Sequence, residues 1–278
     1  MTSQLLVAPR PDSAESFGGF AWSLWSFLLK TVAIVGMDLR KLRRDPTELL
    51  TRAIQPALWL MVFGQVFAHA RAIPTELPYE DFMAPGILAQ SVLFIAIFYG
   101  ISVIWERDLG IVHKLLVTPT PRAALVLGKG LSAGCRALSQ AVIIYFLAWL
   151  LGVKINWHPQ AVTGVLVAVV LGAALFSTFS LIIACLVKTR ERFMGIGQVL
   201  TMPMFFASNA IYPIAMMPSW LRAVAWCNPL TYEVDALRAL MLADGVSEFG
   251  LAVDFLVMVV TTGVLTLIGA WLYPRLAQ

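Results

Sequence analysis

Long apolar runs alternate along this chain with short polar and basic segments. The runs free of Asp, Glu, Lys and Arg are 53–68, 82–105, 137–153, 155–187, 193–221 and 255–274. Crossing a bilayer core takes ~20 mainly apolar residues in a helix. Only segments that satisfy their own backbone hydrogen bonds can span lipid, and these runs are far too long for barrel strands. The pattern therefore predicts an all-α polytopic membrane protein. Its six transmembrane helices fall at about 47–69, 83–105, 132–153, 161–187, 193–213 and 253–273, within a transmembrane domain covering 46–278.

Two shorter amphipathic patterns flank these spans. In 20–45, FAWSLWSFLLKTVAIVGMDLRKLRRD, the residues Trp22, Trp25, Leu28, Leu29, Val32 and Val35 share one helical face, and Arg40, Lys41, Arg43 and Arg44 follow. This predicts a helix lying in the membrane interface with its apolar side toward lipid. A true span over 20–37 competes, but it would make the number of crossings odd. Between spans five and six, Pro213 and Pro218 interrupt the apolar run, and two short helix-like pieces follow. Asn228 reads as an N-cap with Pro229 at the first helical position, and Tyr232 sits in the same segment. These pieces are too short to cross and are expected as re-entrant or interfacial helices on the outer face; an ordinary folded loop would look similar.

Charge sets the orientation. With the N-terminus inside, sixteen of the twenty Lys and Arg fall in cytosolic segments, and only Arg71, Lys154, Arg222 and Arg238 lie outside. That bias places both termini in the cytoplasm. Residues 1–19 contain Pro9 and Pro11 but no apolar core, and are expected as a flexible cytosolic tail rather than a secretory signal. The chain is 59% hydrophobic and 13% charged, about half the charge of a soluble domain. The net charge of +4 does not indicate nucleic acid, because the basic residues gather at span ends.

Candidate chemistry is sparse. No GxxxxGK[ST] phosphate loop occurs, so nucleotide of that kind is not expected on this chain. No Asp or Glu lies inside the six runs, which counts against an ion-coupled carrier. His69, His113 and His158 fall at span ends, and Cys135, Cys185 and Cys227 are scattered without metal-ligand spacing. No catalytic residues and no metal site are expected. The uncharged polar residues in the spans are mainly packing glue between helices. Gln55, Gln198 and Asn209 are the candidates to line a path for an amphiphilic substrate.

One stretch fits neither a span nor a plain loop: WERDLGIVHKLLVTPTPR, 105–122. Leu109, Val112 and Leu116 share a helical face beside Ile111 and Leu115, with Glu106, Arg107, Asp108 and Lys114 at its rim. Prolines 119 and 121 stop the helix. A short amphipathic cytosolic helix is predicted, its apolar face meeting a partner or packing on its own bundle or the headgroups.

These residues carry a resemblance. The run from Tyr79 to Leu131, with FMAPGIL at 82–88, ERDLGIVHKLLVTP at 106–119 and Gly128-Lys129, resembles the membrane subunits of type-2 ABC exporters. So do RRDPTELLTRAIQPALWLMVFG at 43–64 and NPLTYEVDALRALM at 228–241. The similarity is greatest to permeases of the daunorubicin-resistance and nodulation-factor type. It implies a subunit that pairs with a second copy or a paralogue and binds two separate ATPase subunits, which hold the ATP and Mg. It also implies that 105–119 is a coupling helix, with Glu106, Arg107, Gly110, Leu115, Leu116, Thr118 and Pro119 as its contact set. The helix at 20–45, including Trp22, Trp25, Leu29, Arg40, Arg43 and Arg44, would be the interface or gate helix. The implied function is ATP-driven export of a drug or lipid-like amphiphile across a bacterial inner membrane. A lipid-linked oligosaccharide is the alternative cargo, and an ATP-independent channel or carrier is the rival class.

Overall fold

The computed structural model describes residues 29–36, 54–70, 78–117, 120–187 and 189–277. Trp22, Trp25, Arg40, Arg43, Arg44, Thr118 and Pro119 lie outside these residues, as does the entry to the first expected span. Among the described residues all regular structure is helical, apart from an isolated antiparallel bridge between Ile155 and Leu242. We number the helices α1 (29–36), α2 (54–70), α3 (Tyr79–Asp108), α4 (Ile111–Val117) and α5 (Arg122–Leu150). Then follow α6 (Pro159–Leu186), α7 (Arg190–Phe206), α8 (Ser219–Cys227), α9 (Pro229–Met241) and α10 (Leu251–Leu272).

Among the described residues four helices are long and apolar enough to cross a membrane: α3, α5, α6, and α10 with its continuation to Leu276. The described helices of the other two expected spans are shorter. The apolar part of α2 runs from Ile54 to Phe67, and α7 has 17 residues. At 1.5 Å per residue, the 30 residues of α3 extend ~45 Å, well beyond the ~30 Å of a hydrocarbon core.

Two helix ends differ from the expected spans. The helix carrying span three begins at Arg122, ahead of the expected span at about 132, and its Lys129 meets a partner on α3 rather than standing in a loop. Helix α7 ends at Phe206, short of the expected 213. There the Nδ2 of Asn228 donates to the carbonyls of Met204 (2.7 Å) and Ala207 (3.2 Å), supplying partners the helix end lacks.

Helix α3 is buried on every face from Asp81 to Leu93, with Met83, Ile87, Leu88, Leu93 and Ile97 fully enclosed, and stands at the centre of the bundle. Helix α10 is as apolar but buries only Asp254, Met258, Thr262, Gly269 and Leu272. An all-apolar helix with one covered stripe turns its remaining faces to lipid. Exposed tryptophans mark two levels: Trp149, Trp157, Trp220 and Trp226 at one end, Trp105 and Trp271 at the other. Such belts sit at membrane–water interfaces. We call these the capped end, where α8 and α9 lie, and the basic end, where Arg107, Arg122, Arg190 and Arg275 lie.

A second apolar cluster closes the basic end around Ile104, Val112, Val126, Phe193, Tyr273 and Leu276. Helix α1 docks beside it: Ile34 packs inward, close against Gly128, and Thr31 is buried, while Leu29 and Val32 point outward.

Candidate functional site

At the basic end the sequence stretch 105–122 resolves into three parts. Its start is the last turn of α3, its middle a reversal at Leu109 and Gly110, and its end the seven-residue α4. Gly110 has φ +69°, a left-handed conformation that costs a side-chain-bearing residue energy but glycine little. Within α4, Val112 is fully buried and Leu115 packs on the basic-end cluster. Of the two readings for the apolar face, packing on the protein's own bundle therefore holds for Val112 and Leu115. What remains outward is Leu109 (66% exposed), Val117 (87%) and Lys114.

Glu106 also departs from a surface contact role. It is 4% exposed, and Lys129 Nζ donates to its Oε1 at 2.7 Å, joining α3 to α5 in a buried ion pair. Arg107 is half-buried, donates to the Val187 carbonyl at the end of α6 (3.2 Å) and pairs with Asp108. Asp108 in turn accepts from Arg190 of α7 at 2.6 Å, and that guanidinium lies 3.5 Å over the Trp105 ring. The root of α4 is thus tied to α5, α6 and α7 at once. Lys129 and Arg190 were not among the expected site residues. A signal existed for the first: Arg122, Lys129 and Arg136 recur every seven residues, on one helical stripe, and Lys129 and Arg136 both approach the Tyr99 ring of α3.

Between α2, α3 and α7 lies a half-open cavity of about 310 Å³. Gln55 and Pro56 line it from α2, Gln198 from α7, and Gln90, Ser91, Phe94, Ile95 and Phe98 from α3. Two of the expected path residues, Gln55 and Gln198, therefore meet, and both are exposed at its mouth. Asn209 does not join them. It lies buried in the turn after α7, where its carbonyl accepts from Arg238 at 2.7 Å. The lining also includes Gln90, a residue not chosen as a path candidate. Gln90 is 2% exposed, and neither atom of its amide has a hydrogen-bond partner. Positions 90, 94 and 98 fall on one helical stripe, which was readable in the sequence.

The capped end holds the two short helices α8 and α9. Asn228 caps α9, its Oδ1 accepting from Leu230 N at 3.1 Å, with Pro229 in the first turn. Tyr232 donates its hydroxyl proton to the Trp226 carbonyl at 2.8 Å, tying α9 to α8. The guanidinium of Arg238 lies 4.0 Å over the Phe82 ring. Glu233 was unforeseen: it is fully buried against Gly172 of α6, where any Cβ would overlap its carboxyl. Gly172 lies thirteen residues into α6, ~20 Å along its axis. Neither carboxyl oxygen has a partner, and burial pushes the group well above the usual carboxylate range. The apolar runs hold no acid, yet α9 brings one among them, so the sequence argument against ion coupling loses its force. Among the described residues no three His, Cys, Asp or Glu gather as a metal site would need.

Comparison with known proteins adds the following. The model of a family described as ABC-2 type transporter matches residues 30–242. A putative transport permease, ycf38, of Cyanophora paradoxa is 28% identical over 219 residues, covering 77% of this chain and 74% of its own. A daunorubicin resistance ABC transporter permease protein, DrrB1, of Streptomyces coeruleorubidus is 25% identical, over 85% of this chain and 80% of its own. Nodulation protein J of Rhizobium leguminosarum bv. viciae is 22% identical, over 75% and 80%.

Proposed function

Because this chain belongs to the ABC-2 type transporter family, we propose that it is the membrane subunit of an ATP-driven exporter of a hydrophobic or amphiphilic compound. In this reading it has six spans, lies in the inner membrane of a bacterium and keeps both termini in the cytoplasm. Two copies, or one copy and a paralogue, pair side by side. Two ATPase subunits dock at the basic end and hold the ATP and Mg, while this chain does no covalent chemistry.

The observation that carries the proposal is the root of α4. A short helix with Lys114 and Val117 outward, preceded by the exposed Leu109, leaves α3 at a point tied to three other helices by Glu106–Lys129, Arg107–Val187 and Asp108–Arg190. A push on α4 is thereby shared among α3, α5, α6 and α7. Helices α3 and α7, with α2, also line the cavity that holds Gln55 and Gln198, so the same movement alters the cavity. Export follows when the cavity's affinity for cargo differs between the two arrangements. Gln55 and Gln198 support this: polar groups exposed at membrane depth are costly in lipid and suit a path or a partner subunit.

The test is to copurify the permease with a coexpressed ABC ATPase and reconstitute both in proteoliposomes. ATP-dependent accumulation of an amphiphilic dye on the side opposite the ATPase supports the proposal; dye movement that needs no ATPase overturns it. An ATP-independent carrier stays the second reading because of Glu233 alone, a buried carboxyl facing α6. Movement driven by a proton gradient without nucleotide would favour it.

A further inference from the structure

We propose that Asp235, Ser247 and Asp254 form a proton-held latch, which ties the cap helix α9 to the span α10 and lets go as pH rises. The latch belongs to the capped end alone and does not depend on coupling to an ATPase.

The loop that joins α9 to α10 folds Ser247 back between a carboxyl from each helix. Its Oγ lies 2.8 Å from Asp235 Oδ2 on α9 and 2.9 Å from Asp254 Oδ2 in the first turn of α10. The same oxygen accepts from Gly250 N at 2.6 Å. A serine hydroxyl carries one hydrogen, and an ionised carboxylate only accepts. Ser247 can therefore donate to one of the two carboxyls, and the other contact needs a hydrogen of its own. Asp235 Oδ2 also accepts from Phe249 N at 3.1 Å, which suits an ionised oxygen with two donors. The Oδ1 of Asp254, by contrast, is buried without a partner. Every contact is met when Asp254 carries the proton and donates to Ser247 Oγ, while Ser247 donates on to Asp235.

Burial and charge support the same assignment. Asp235 is 1% exposed and Asp254 0%, and two carboxylates in one buried site do not readily both ionise. Among the described residues the neighbouring charges leave Asp254 without a cation of its own. Arg238 and Glu248 lie in the field of Asp235, Arg222 in that of Glu248, and Tyr232 in that of Asp254. Asp81 on α3 faces Lys154 and Asp244, and Glu233 lies against Gly172. Helix α6 holds no Asp, Glu, Lys or Arg, and the basic residues of α5 meet Glu106 and Tyr99 toward the other end. A metal ion in place of the proton needs more ligands, and no three His, Cys, Asp or Glu gather among the described residues.

With the proton in place, hydrogen bonds run unbroken from α10 through the loop to α9. The ring of Phe249, 5.0 Å from that of Tyr232, holds the loop on α9 beside them. Once the proton leaves, two buried carboxylates share one hydroxyl hydrogen. One contact turns repulsive, and the charge on Asp254 is satisfied only by water, which enters when α9 and α10 separate.

The experiment follows hydrogen–deuterium exchange of the loop amides, Phe249 and Gly250 among them, in the full-length permease in nanodiscs. Protection factors are compared, so that the intrinsic pH dependence of exchange is removed. All proteins carry Glu233→Gln, which takes that carboxyl out of the titration. Asp254→Asn keeps a donor toward Ser247 but holds no titrating proton. At pH 5 it should match the protein that retains Asp254. Toward pH 9 the latter should lose protection, by up to about tenfold per pH unit, the limit for one released proton, while Asp254→Asn stays protected. Ser247→Ala should show low protection at every pH, and serves if Asp254→Asn loses its monodisperse profile. Loop protection that does not fall with pH when Asp254 is present, or a Ser247→Ala loop that keeps the full pH response, overturns the proposal. So does a response abolished by calcium at constant ionic strength, since a cation and not a proton then holds the pair.

Discussion

Lys129 Nζ lies 2.7 Å from Glu106 Oε1, with both side chains almost wholly out of solvent, at 4% and 6% exposure. A pair of this kind is a junction more than a source of net stability, since desolvation offsets much of its attraction. Removing one partner leaves the other as an uncompensated buried charge. Lys129→Met or Glu106→Met alone should therefore cost about 3–5 kcal/mol, while the double variant should recover most of it. Thermal unfolding of the purified permease checks this, and additive losses would refute the junction.

Val112 and Val117 are five residues apart on α4 but are fully buried and 87% exposed, respectively. Val112→Asp should lower the melting temperature sharply, because it puts a charge into the basic-end cluster. Val117→Asp should leave stability within ~0.5 kcal/mol and instead reduce copurification of the ATPase. If Val117→Asp retains the ATPase fully, the docking face lies elsewhere.

Glu233 predicts a pH dependence. Burial raises its carboxyl in the folded state, so as pH climbs the unfolded chain ionises first. The stability linked to this group is complete below the ordinary carboxylate range and is lost as pH rises toward the folded value. Glu233→Gln, neutral throughout, escapes that loss. Its melting temperature relative to wild type should be higher at pH 8 than at pH 5; an offset that does not change with pH would contradict the assignment.

Gly172 and Glu233 form one steric unit. Gly172→Ala should destabilise because the added methyl has no room beside the carboxyl. Combining it with Glu233→Ala should restore much of the loss, readable as a favourable coupling in a double-mutant cycle.

Asn228 closes two helix ends, accepting from Leu230 N and donating to Met204 and Ala207 carbonyls. Asn228→Ala should cost ~1 kcal/mol through the N-cap alone. The first-turn amides of α9 should then exchange faster, by hydrogen–deuterium exchange, than those at its far end.

Much of this architecture is written in local pattern. Charge-free runs of about twenty residues can only be helices in lipid, so 82–105, 155–187 and 255–274 reappear as α3, α6 and most of α10. The cap at Asn228 and the proline after it are equally local, one side chain meeting an amide two residues on. Gln55 and Gln198 stood out because an amide in an apolar run is conspicuous.

What the pattern could not decide were matters of partnership between distant segments. Glu106 looks like a surface charge until Lys129, 23 residues later, arrives across the helix interface. Glu233 looks like an acid in an outer loop until α9 folds back and lays it against Gly172, 61 positions earlier in the chain. Asn209 looks like a path residue until its turn is packed away beneath Arg238. Hydropathy and periodicity report the environment each residue prefers, and so determine that this chain enters a membrane as helices. Which charge is matched, which is buried alone and which amide is buried without a partner depend on how those helices pack, and only the tertiary structure decides that.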